Sequence, residues 1–254
     1  MQSKRKLILT SLILAFSFNM CTKEYGHLAG IVFTVDDGYI NSWNPYLNYL
    51  DSVNFKITFY ITGYHEFSDS TKEMLKKFKA HGHEIAFHTT NHVNVNEYLD
   101  DKSADDYMQE EIFPDLNLMN SDSLEVQNFA YPYGYGDKIV DQLLLNHFKS
   151  IRKIRVTTYF RLYELDEIFN DFPENDRIIY GAEIDRGNEV TESDIEKALH
   201  RAKEENKVIL LFCHKIGNTE DEYEISETRF KRIVDYCNNN EMTSLTVNDL
   251  VTTK

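Results

Sequence analysis

Two adjacent carboxylates stand at the end of an apolar run. Asp36 and Asp37 follow the segment 28–35 and precede Gly38. Removing two neighbouring carboxylates from water is costly, and a nearby cation relieves that cost. The pair is therefore a candidate for metal binding or for acid–base chemistry. An acidic turn closed by a glycine is the ordinary structural interpretation of the same residues.

A histidine pair with a spacing of four residues is the second candidate. His88 and His92 flank the tripeptide 89–91. On one turn of helix this spacing would place both imidazoles on one face, where they could share a metal ion. Such a pair arises readily by chance in a chain with nine histidines. A catalytic zinc-type site uses three protein ligands and an open position, so two histidines and one aspartate would complete a set.

His214 and a tyrosine-rich turn complete the candidates. His214 follows the strongly apolar segment 208–213. A histidine beside a core strand is commonly structural, but a position at a strand end favours a role as general acid. In the segment 131–136 (YPYGYG) proline and glycine fix the backbone, so the turn could aim a backbone N–H at a developing oxyanion. A tight loop with exposed aromatic rings is the simpler interpretation.

These candidates lie where predicted strands end. Strands are predicted at 28–35, 56–62, 84–88, 126–131, 150–156, 177–184, 208–213 and 243–247, and helices at 44–53, 70–81, 105–119, 137–147, 193–206 and 227–239, with an irregular segment at 157–176. This alternation predicts βα units, a mainly parallel sheet and, with about seven units, a barrel. Active sites of βα barrels lie at the C-terminal ends of the strands. We therefore expect Asp36, Asp37, His88, Tyr133 and His214 to converge on one face.

Taken in order, these segments resemble the polysaccharide deacetylase family, also called the chitooligosaccharide deacetylase-homology domain or carbohydrate esterase family 4. The matching segments are Thr34-Val35-Asp36-Asp37-Gly38, His88-Thr89-Thr90-Asn91-His92, Pro132-Tyr133-Gly134 and Leu211-Phe212-Cys213-His214, supported by Ile57-Thr58-Phe59-Tyr60-Ile61-Thr62-Gly63 and His81-Gly82-His83-Glu84-Ile85-Ala86. The resemblance spans about residues 28–250. It implies an α/β fold, a distorted (β/α) barrel of about seven parallel strands, and metal-dependent removal of acetyl groups from a glycan.

The resemblance also implies a metal site and an acid–base pair. By position, Asp37, His88 and His92 would bind the metal, Asp36 would be the general base, and His214 the general acid. Two histidines and one carboxylate suit zinc first, and also cobalt, nickel or manganese.

Three further residues would contact the substrate or the developing charge. The backbone N–H of Tyr133 would contribute to the oxyanion site. Leu211 would line the acetyl pocket, and Pro132 would belong to the substrate-binding turn.

Two positions depart from the family pattern. The third motif commonly begins with an arginine two residues before the proline, which orients the base, but this chain has Ala130 there. Arg152, in the next predicted strand, ranks first as its substitute and Arg177 second. The family's Asp–Trp motif, which supports the acid, is not found: Asp185 lies in the right region without matching, and Trp43 is far upstream.

The amino-terminal segment predicts export. The basic start Lys4–Lys6 precedes an apolar run at 7–18, which is short for a membrane span and typical of an export signal. Cys21 follows and predicts a lipoprotein that is lipidated there, with plain signal cleavage as the alternative. We thus expect an export signal at 1–20 and a single deacetylase-like domain at 21–254, anchored by lipid to a bacterial membrane.

Composition limits the range of partners. Hydrophobic residues make up 42% of the chain, as in an ordinary folded domain. There are 27 basic and 42 acidic residues, giving a net charge of −15, and an acidic surface repels nucleic acid and anionic membranes. We expect no nucleic acid partner, membrane contact only through a lipid anchor, and an acetylated polysaccharide or oligosaccharide as substrate. Cys213 and Cys237 are expected to be buried thiols, although a disulfide is not excluded.

Three functions remain open at this point. The first is removal of N-acetyl groups from a hexosamine-containing polysaccharide. The second is an O-acetyl glycan esterase, which would use the same metal and water chemistry. The third is a non-catalytic glycan-binding lipoprotein that retains the fold, an alternative suggested by the missing arginine and Asp–Trp motif. A metal phosphohydrolase is disfavoured because few basic residues lie near the motifs.

Overall fold

The computed structural model describes residues 28–157 and 160–251. Its strands are β1 Gly30–Val35, β2 Thr58–Ile61, β3 Glu84–Phe87, β4 Asn128–Ala130, β5 Ser150–Ile154, β6 Phe169–Asn170, β7 Ile178–Glu183, β8 Val208–Cys213, β9 Lys215–Gly217, β10 Glu224–Ser226 and β11 Thr243–Leu245. Strands β1 to β5, β7 and β8 are parallel, and the pairing of β1 with β8 closes them into a barrel. This confirms the predicted distorted (β/α) barrel of about seven parallel strands. Strand β11 adds parallel to β1, β6 adds antiparallel to β8, and β9 pairs with β10.

Helices surround the barrel. They are α1 Ile40–Trp43, α2 Leu47–Ser52, α3 Asp69–Ala80, α4 Val95–Tyr98, α5 Ala104–Tyr107, α6 Phe113–Ser121, α7 Lys138–Leu144, α8 Glu192–Glu205, α9 Glu227–Asn239 and α10 Val247–Leu250. Within the described ranges, no helix has the length and apolar character needed to cross a membrane.

The longer helices follow the sequence pattern closely. Each begins at a hydroxyl side chain that accepts a hydrogen bond from a backbone N–H of the first turn: Ser68 before α3, Thr191 before α8 and Ser226 before α9. Such a cap contributes about 1 kcal/mol to the stability of a helix. Apolar residues at helical spacing then bury one face of each helix against the barrel.

Two helical predictions need correction. The segment 44–53 divides into α1, a 3₁₀ turn at Asn44–Tyr46 and α2, because Pro45 lacks the N–H that a continuous helix would use. The segment 105–119 contains a π-helical turn, Met108–Ile112, between α5 and α6. The interruption thus begins before Pro114, and Glu111 lies within the π-helical turn.

Two apolar layers flank the strands. The inner layer fills the barrel with small and aliphatic side chains, including Val32, Ala86, Ala130 and Leu210. The outer layer packs the other face of each strand against the helices. Because both faces are covered, β1 and β8 are buried along their whole length and appear in the sequence as continuous apolar runs. The polar residues that follow them lie at the open rim of the barrel.

Candidate active site

A cavity of about 430 Å³ opens at the C-terminal ends of the barrel strands. Its lining includes Asp36, Asp37, His88, His92, Tyr133 and His214. The structure therefore brings together side chains that are up to 178 residues apart in the chain, from Asp36 to His214. The convergence follows from parallel strands that all end at the same rim.

Asp37, His88 and His92 form the first histidine group. One carboxylate oxygen and two ring nitrogens lie within 4.8 Å of one another. Asp37 Oδ1 is 3.1 Å from His92 Nε2 and 3.5 Å from His88 Nε2. Two imidazoles and one carboxylate are a common ligand set for a catalytic divalent metal.

The protonation states in this group suit a metal. Burial lowers the pKa of His88 to about 4, so its ring is neutral at physiological pH. Its Nδ1–H donates to the Ala130 carbonyl at 2.8 Å, which leaves the Nε2 lone pair directed toward Asp37. Burial opposes ionisation of Asp37, but the hydrogen bond to His92 and the nearby histidine charges lower its pKa to about 2. Metal ligands must be deprotonated, as His88 and Asp37 are.

The loop that carries both histidines is not helical. Thr89 and His92 have φ angles of 71° and 56°, in the left-handed region. The two rings therefore converge without a helical turn, with centroids 5.1 Å apart. The His92 N–H donates to Thr89 Oγ1 at 3.0 Å, a local bond that competes with helix formation.

Glu111 holds this loop in place, and the sequence analysis missed it. Its carboxylate accepts from the Asn91 N–H at 2.9 Å and from Asn91 Nδ2 at 2.7 Å. Its backbone carbonyl accepts from the Thr90 N–H at 2.8 Å. Glu111 is 4% exposed, and its side chain reaches the loop from the π-helical turn. No local sequence pattern marks this contact, because it depends on how the turn packs against the loop.

Asp36 is buried and paired with Arg152. Asp36 is 3% exposed and Arg152 is fully buried, and Arg152 Nη2 donates to Asp36 Oδ2. The guanidinium lies between the rings of Tyr60 and Phe212, 5.3 Å and 4.4 Å from their centroids. A buried carboxylate is kept ionised by such a partner.

Arg152 stands beside the position where the arginine of the family pattern is missing. In the register of the parallel strands β4 and β5, it pairs with Ala130. The alternative, Arg177, donates instead to the carbonyls of Leu145 and Phe148, each at 2.6 Å, on the far side of the barrel. Of the two arginines considered, only Arg152 contacts the site.

Glu183, Asp185 and His214 form the second histidine group. His214 Nδ1 donates to Asp185 Oδ2 at 2.6 Å, and the His214 backbone N–H points to Asp185 Oδ1 at 3.4 Å. Burial opposes a charge on His214, but the hydrogen bond to Asp185 and the charge of Asp36 outweigh it and raise its pKa to about 9. His214 therefore carries a proton near neutral pH.

Trp43 supports the same histidine from another element. Its indole Nε1–H donates to the His214 carbonyl at 3.0 Å, and its ring is fully buried. Asp185 and Trp43 thus support His214 from two distant parts of the chain. Only the scarcity of tryptophan in this chain could have drawn attention to Trp43.

Comparison with known proteins finds a family model that matches part of this chain. The polysaccharide deacetylase model matches residues 27–147. This region contains the first histidine group, Asp36 and the turn at Tyr133, and the match confirms the resemblance seen in the sequence motifs. No match was found among the curated proteins.

Solved structures of carbohydrate esterases and deacetylases share the fold. A family 4 carbohydrate esterase from Streptomyces lividans has a TM-score of 0.54 at 12% identity, over 86% of this chain and 93% of that one. The chitin deacetylase from Colletotrichum lindemuthianum has a TM-score of 0.53 at 14% identity, over 89% of each chain. The catalytic domain of a peptidoglycan N-acetylglucosamine deacetylase from Eubacterium rectale has a TM-score of 0.51 at 18% identity, over 86% and 88%. At these identities the likeness shows a common fold.

Two residues that the polysaccharide deacetylase pattern suggested do not line the cavity. Leu211 is fully buried in the outer layer, whereas Phe212 and His214 reach the cavity lining. Successive residues of a strand point to opposite faces, so Leu211 cannot share a face with Phe212. Pro132 is buried at the start of the 3₁₀ turn Pro132–Gly134 and is not among the described residues that line the cavity. Its fixed φ angle shapes the turn instead.

Tyr133 lies at the cavity mouth. Its backbone adopts a left-handed conformation with φ of 58°, which turns its peptide unit sharply. Its side chain is 56% exposed, and its ring centroid is 5.0 Å from that of His92. An exposed ring beside the first histidine group is a surface on which a sugar ring can stack.

Proposed function

We propose that this protein is a metal-dependent hydrolase that removes acetyl groups from a glycan, most specifically N-acetyl groups from a hexosamine-containing polysaccharide. The observation that carries the proposal is the composition of one cavity. It joins a ligand set of two imidazoles and one carboxylate, a buried base candidate and a protonated histidine. Hydrolysis of an acetyl amide needs these three functions together.

Asp37, His88 and His92 would hold the metal. Zinc suits two imidazoles and one carboxylate, and cobalt, nickel and manganese are compatible with the same donors. A divalent metal bound there would polarise the acetyl carbonyl and make a water molecule more acidic.

Asp36 would accept the proton of the attacking water. Its ionised form is needed for this, and the buried Arg152 guanidinium places an opposite charge beside it. The backbone N–H of Tyr133 would donate to the oxygen of the carbonyl as negative charge develops on it.

His214 would then supply a proton to the leaving group. As the bond between carbon and nitrogen breaks, the sugar nitrogen takes the proton from His214 and departs as an amine. Acetate is the second product. Asp185 supports this role because it raises the pKa of His214 and orients its ring.

The alternatives differ in how the structure bears on them. An O-acetyl glycan esterase would use the same groups, and the leaving atom would be oxygen. A glycan-binding protein without turnover was suggested by the missing arginine and the missing Asp–Trp motif. Arg152 contacts the base candidate Asp36, and Asp185 and Trp43 contact His214, which favours turnover.

Acetate release tests the proposal. The purified full chain, with added zinc or cobalt, is incubated with an N-acetylglucosamine oligomer and with acetylated xylan. We expect metal-dependent release that is lost in Asp36→Asn and His88→Ala. Release that persists in both variants, or an absence of release from both substrates with metal bound, would contradict the proposal.

We also propose that the chain is exported and lipid-anchored. Residues 1–27, including the expected signal at 1–20 and Cys21, lie outside the described residues. Incorporation of a labelled fatty acid into the wild-type protein in a bacterial host, and its loss in Cys21→Ser, would support this. We propose residues 21–254 as one catalytic domain.

A further inference from the structure

The carboxylate of Glu183 is the unpaired member of the second histidine group. Glu183 ends β7, and its side chain makes no hydrogen bond or ion pair with any residue in the part of the chain that the structure describes. Asp185, two residues later on the same face, is fully buried and bonded to His214. The two carboxylates of one group thus have different surroundings, and only Glu183 lacks a protein partner.

Glu183 lies at the junction of two cavities. It lines the main cavity together with Asp36 and His214. It also lines a neighbouring cavity of about 250 Å³, whose described lining contains Glu222 and no basic side chain. A ligand that spans the two cavities must pass this carboxylate.

The second histidine group does not suit a second metal ion. A metal would need a neutral imidazole, but His214 already shares a short hydrogen bond with Asp185 and holds its proton up to a pKa of about 9. A cationic group carried by the substrate or product is a partner that tolerates a protonated histidine as neighbour.

We propose that Glu183 binds the amino group that amide cleavage releases, and thereby makes the site selective for N-acetyl over O-acetyl groups. This inference rests on the proposed function. An oxygen of Glu183 lies within 4.8 Å of a ring nitrogen of His214. A sugar nitrogen that takes a proton from His214 comes within about 3 Å of that ring. Glu183 and His214 line the same cavity, so the Glu183 carboxylate faces the space in which this nitrogen takes its proton.

The two leaving groups differ in charge. In the tetrahedral intermediate the sugar nitrogen is an amine, so the proton that it takes from His214 makes it an ammonium group before the bond to carbon breaks. The nitrogen departs as a primary amine, which takes a second proton from solvent and becomes an ammonium group again. When an ester bond breaks, the sugar oxygen takes one proton from His214 and becomes a neutral hydroxyl group. An ionised carboxylate forms a charge-assisted hydrogen bond with the ammonium group only. Burial raises the pKa of Glu183 in the free protein, and a bound ammonium would lower it again.

Turnover of two substrates by two matched variants tests the selectivity. Glu183→Gln keeps the size of the side chain and removes its charge. Glu222→Gln removes a charge from the neighbouring cavity and serves as the control. We expect Glu183→Gln to lower kcat/KM for the N-acetylglucosamine oligomer about tenfold and to change that for acetylated xylan less than about twofold. Glu222→Gln should leave the ratio of the two values unchanged. Equal losses on both substrates, or no loss on either, would overturn the inference.

Product binding gives a readout that does not require turnover. Calorimetry with a glucosamine oligomer should show binding about tenfold weaker for Glu183→Gln than for the wild type, with N-acetylglucosamine oligomer binding unchanged. If the wild type releases no acetate but shows this selective loss, the proposed function fails and amine recognition by Glu183 stands. If acetate is released but the variant binds both oligomers as the wild type does, the function stands and the inference about Glu183 falls.

Discussion

The two histidine groups contain the same kinds of side chain, but His88 in the first group is neutral and His214 in the second is positively charged near neutral pH. His88 has a pKa lowered to about 4, whereas His214 has a pKa raised to about 9. Burial is not the difference, because the side chains of both are largely shielded, at 2% and 13% exposed. Both rings also lie near Asp36 and Asp37, whose charges raise both pKa values.

The hydrogen bond made by Nδ1 decides the outcome. His88 Nδ1 meets the neutral carbonyl of Ala130, and His214 Nδ1 meets the carboxylate of Asp185. A neutral acceptor fixes the tautomer without stabilising a charge, while a carboxylate does both. The comparison teaches that the group behind a buried histidine, more than its burial, determines whether the ring can bind a metal or donate a proton.

The largest effects are expected from removing one histidine of each group. His88→Ala should abolish both metal binding and activity. His214→Ala should bind zinc as the wild type does but lose about 10²- to 10⁴-fold in kcat/KM, because it lacks only the proton donor. Metal content after dialysis and acetate release distinguish the two. Loss of zinc from His214→Ala would contradict the assignment of metal binding to the first histidine group and of proton donation to His214.

Arg152 tests whether Asp36 depends on its buried partner. Arg152→Ala should lower kcat/KM at least about 10²-fold, because it leaves a buried carboxylate without a counter-charge and favours its protonation. Adding Ala130→Arg to the same chain should restore part of the activity, since the two positions are paired in register. Arg177→Ala serves as the control and should leave kcat/KM unchanged. A double variant no better than Arg152→Ala would show that the register position is not equivalent.

Asp185→Asn should make the second group behave more like the first. Its amide cannot supply the charge that raises the pKa of His214, so the pKa falls. The general acid must be protonated, and activity of the wild type is lost as pH rises through about 9. In the variant this loss should begin at lower pH, with kcat/KM about tenfold lower at pH 8. The check is a pH profile of kcat/KM, and an unshifted basic limb would contradict the role given to Asp185.

The smallest effect on kcat is expected from Glu111, which supports the first histidine group indirectly. Glu111→Gln weakens the contacts that hold the loop at 90–92, and changes to such supporting residues cost about 10- to 100-fold in metal affinity. Zinc competition with a chelating dye measures this affinity. The kcat of the zinc-saturated variant should stay near that of the wild type. A large fall in kcat at saturating zinc would mean that Glu111 does more than position the loop.

The sequence predicted well what is local in the chain. The strands, the longer helices and the residues that follow strand ends are encoded by short apolar runs, helical periodicity and caps. This was enough to place Asp36, His88 and His214 at one rim. The prediction for Leu211 failed because a spacing of three along a strand changes the face. The sequence also did not predict the left-handed conformations of Thr89 and His92, which bring the two histidines together without a helical turn.

What the sequence could not predict depends on register and packing. Glu111, Trp43 and Asp185 reach the site through contacts between elements far apart in the chain. The distances of these residues from the site are known only once the closed barrel and the packing of the helices against it are known. Arg152 was ranked above Arg177 by its place in the next strand, yet its pairing with Ala130 required the register.

The pairing of Ala130 with Arg152 has a consequence for how such sites are recognised. Around the rim of a closed barrel, neighbouring strands are about 4.8 Å apart. The position of a site at the rim is therefore defined by its angle around the barrel axis and by its depth in the barrel. A long side chain can reach the same position at the rim from either of two adjacent strands. The other strand must then carry a small residue there, as it does at Ala130. A search for contiguous sequence motifs scores the residue as missing when the adjacent strand supplies it. Here the guanidinium reaches Asp36 from β5, and the residue paired with it on β4 is the small Ala130.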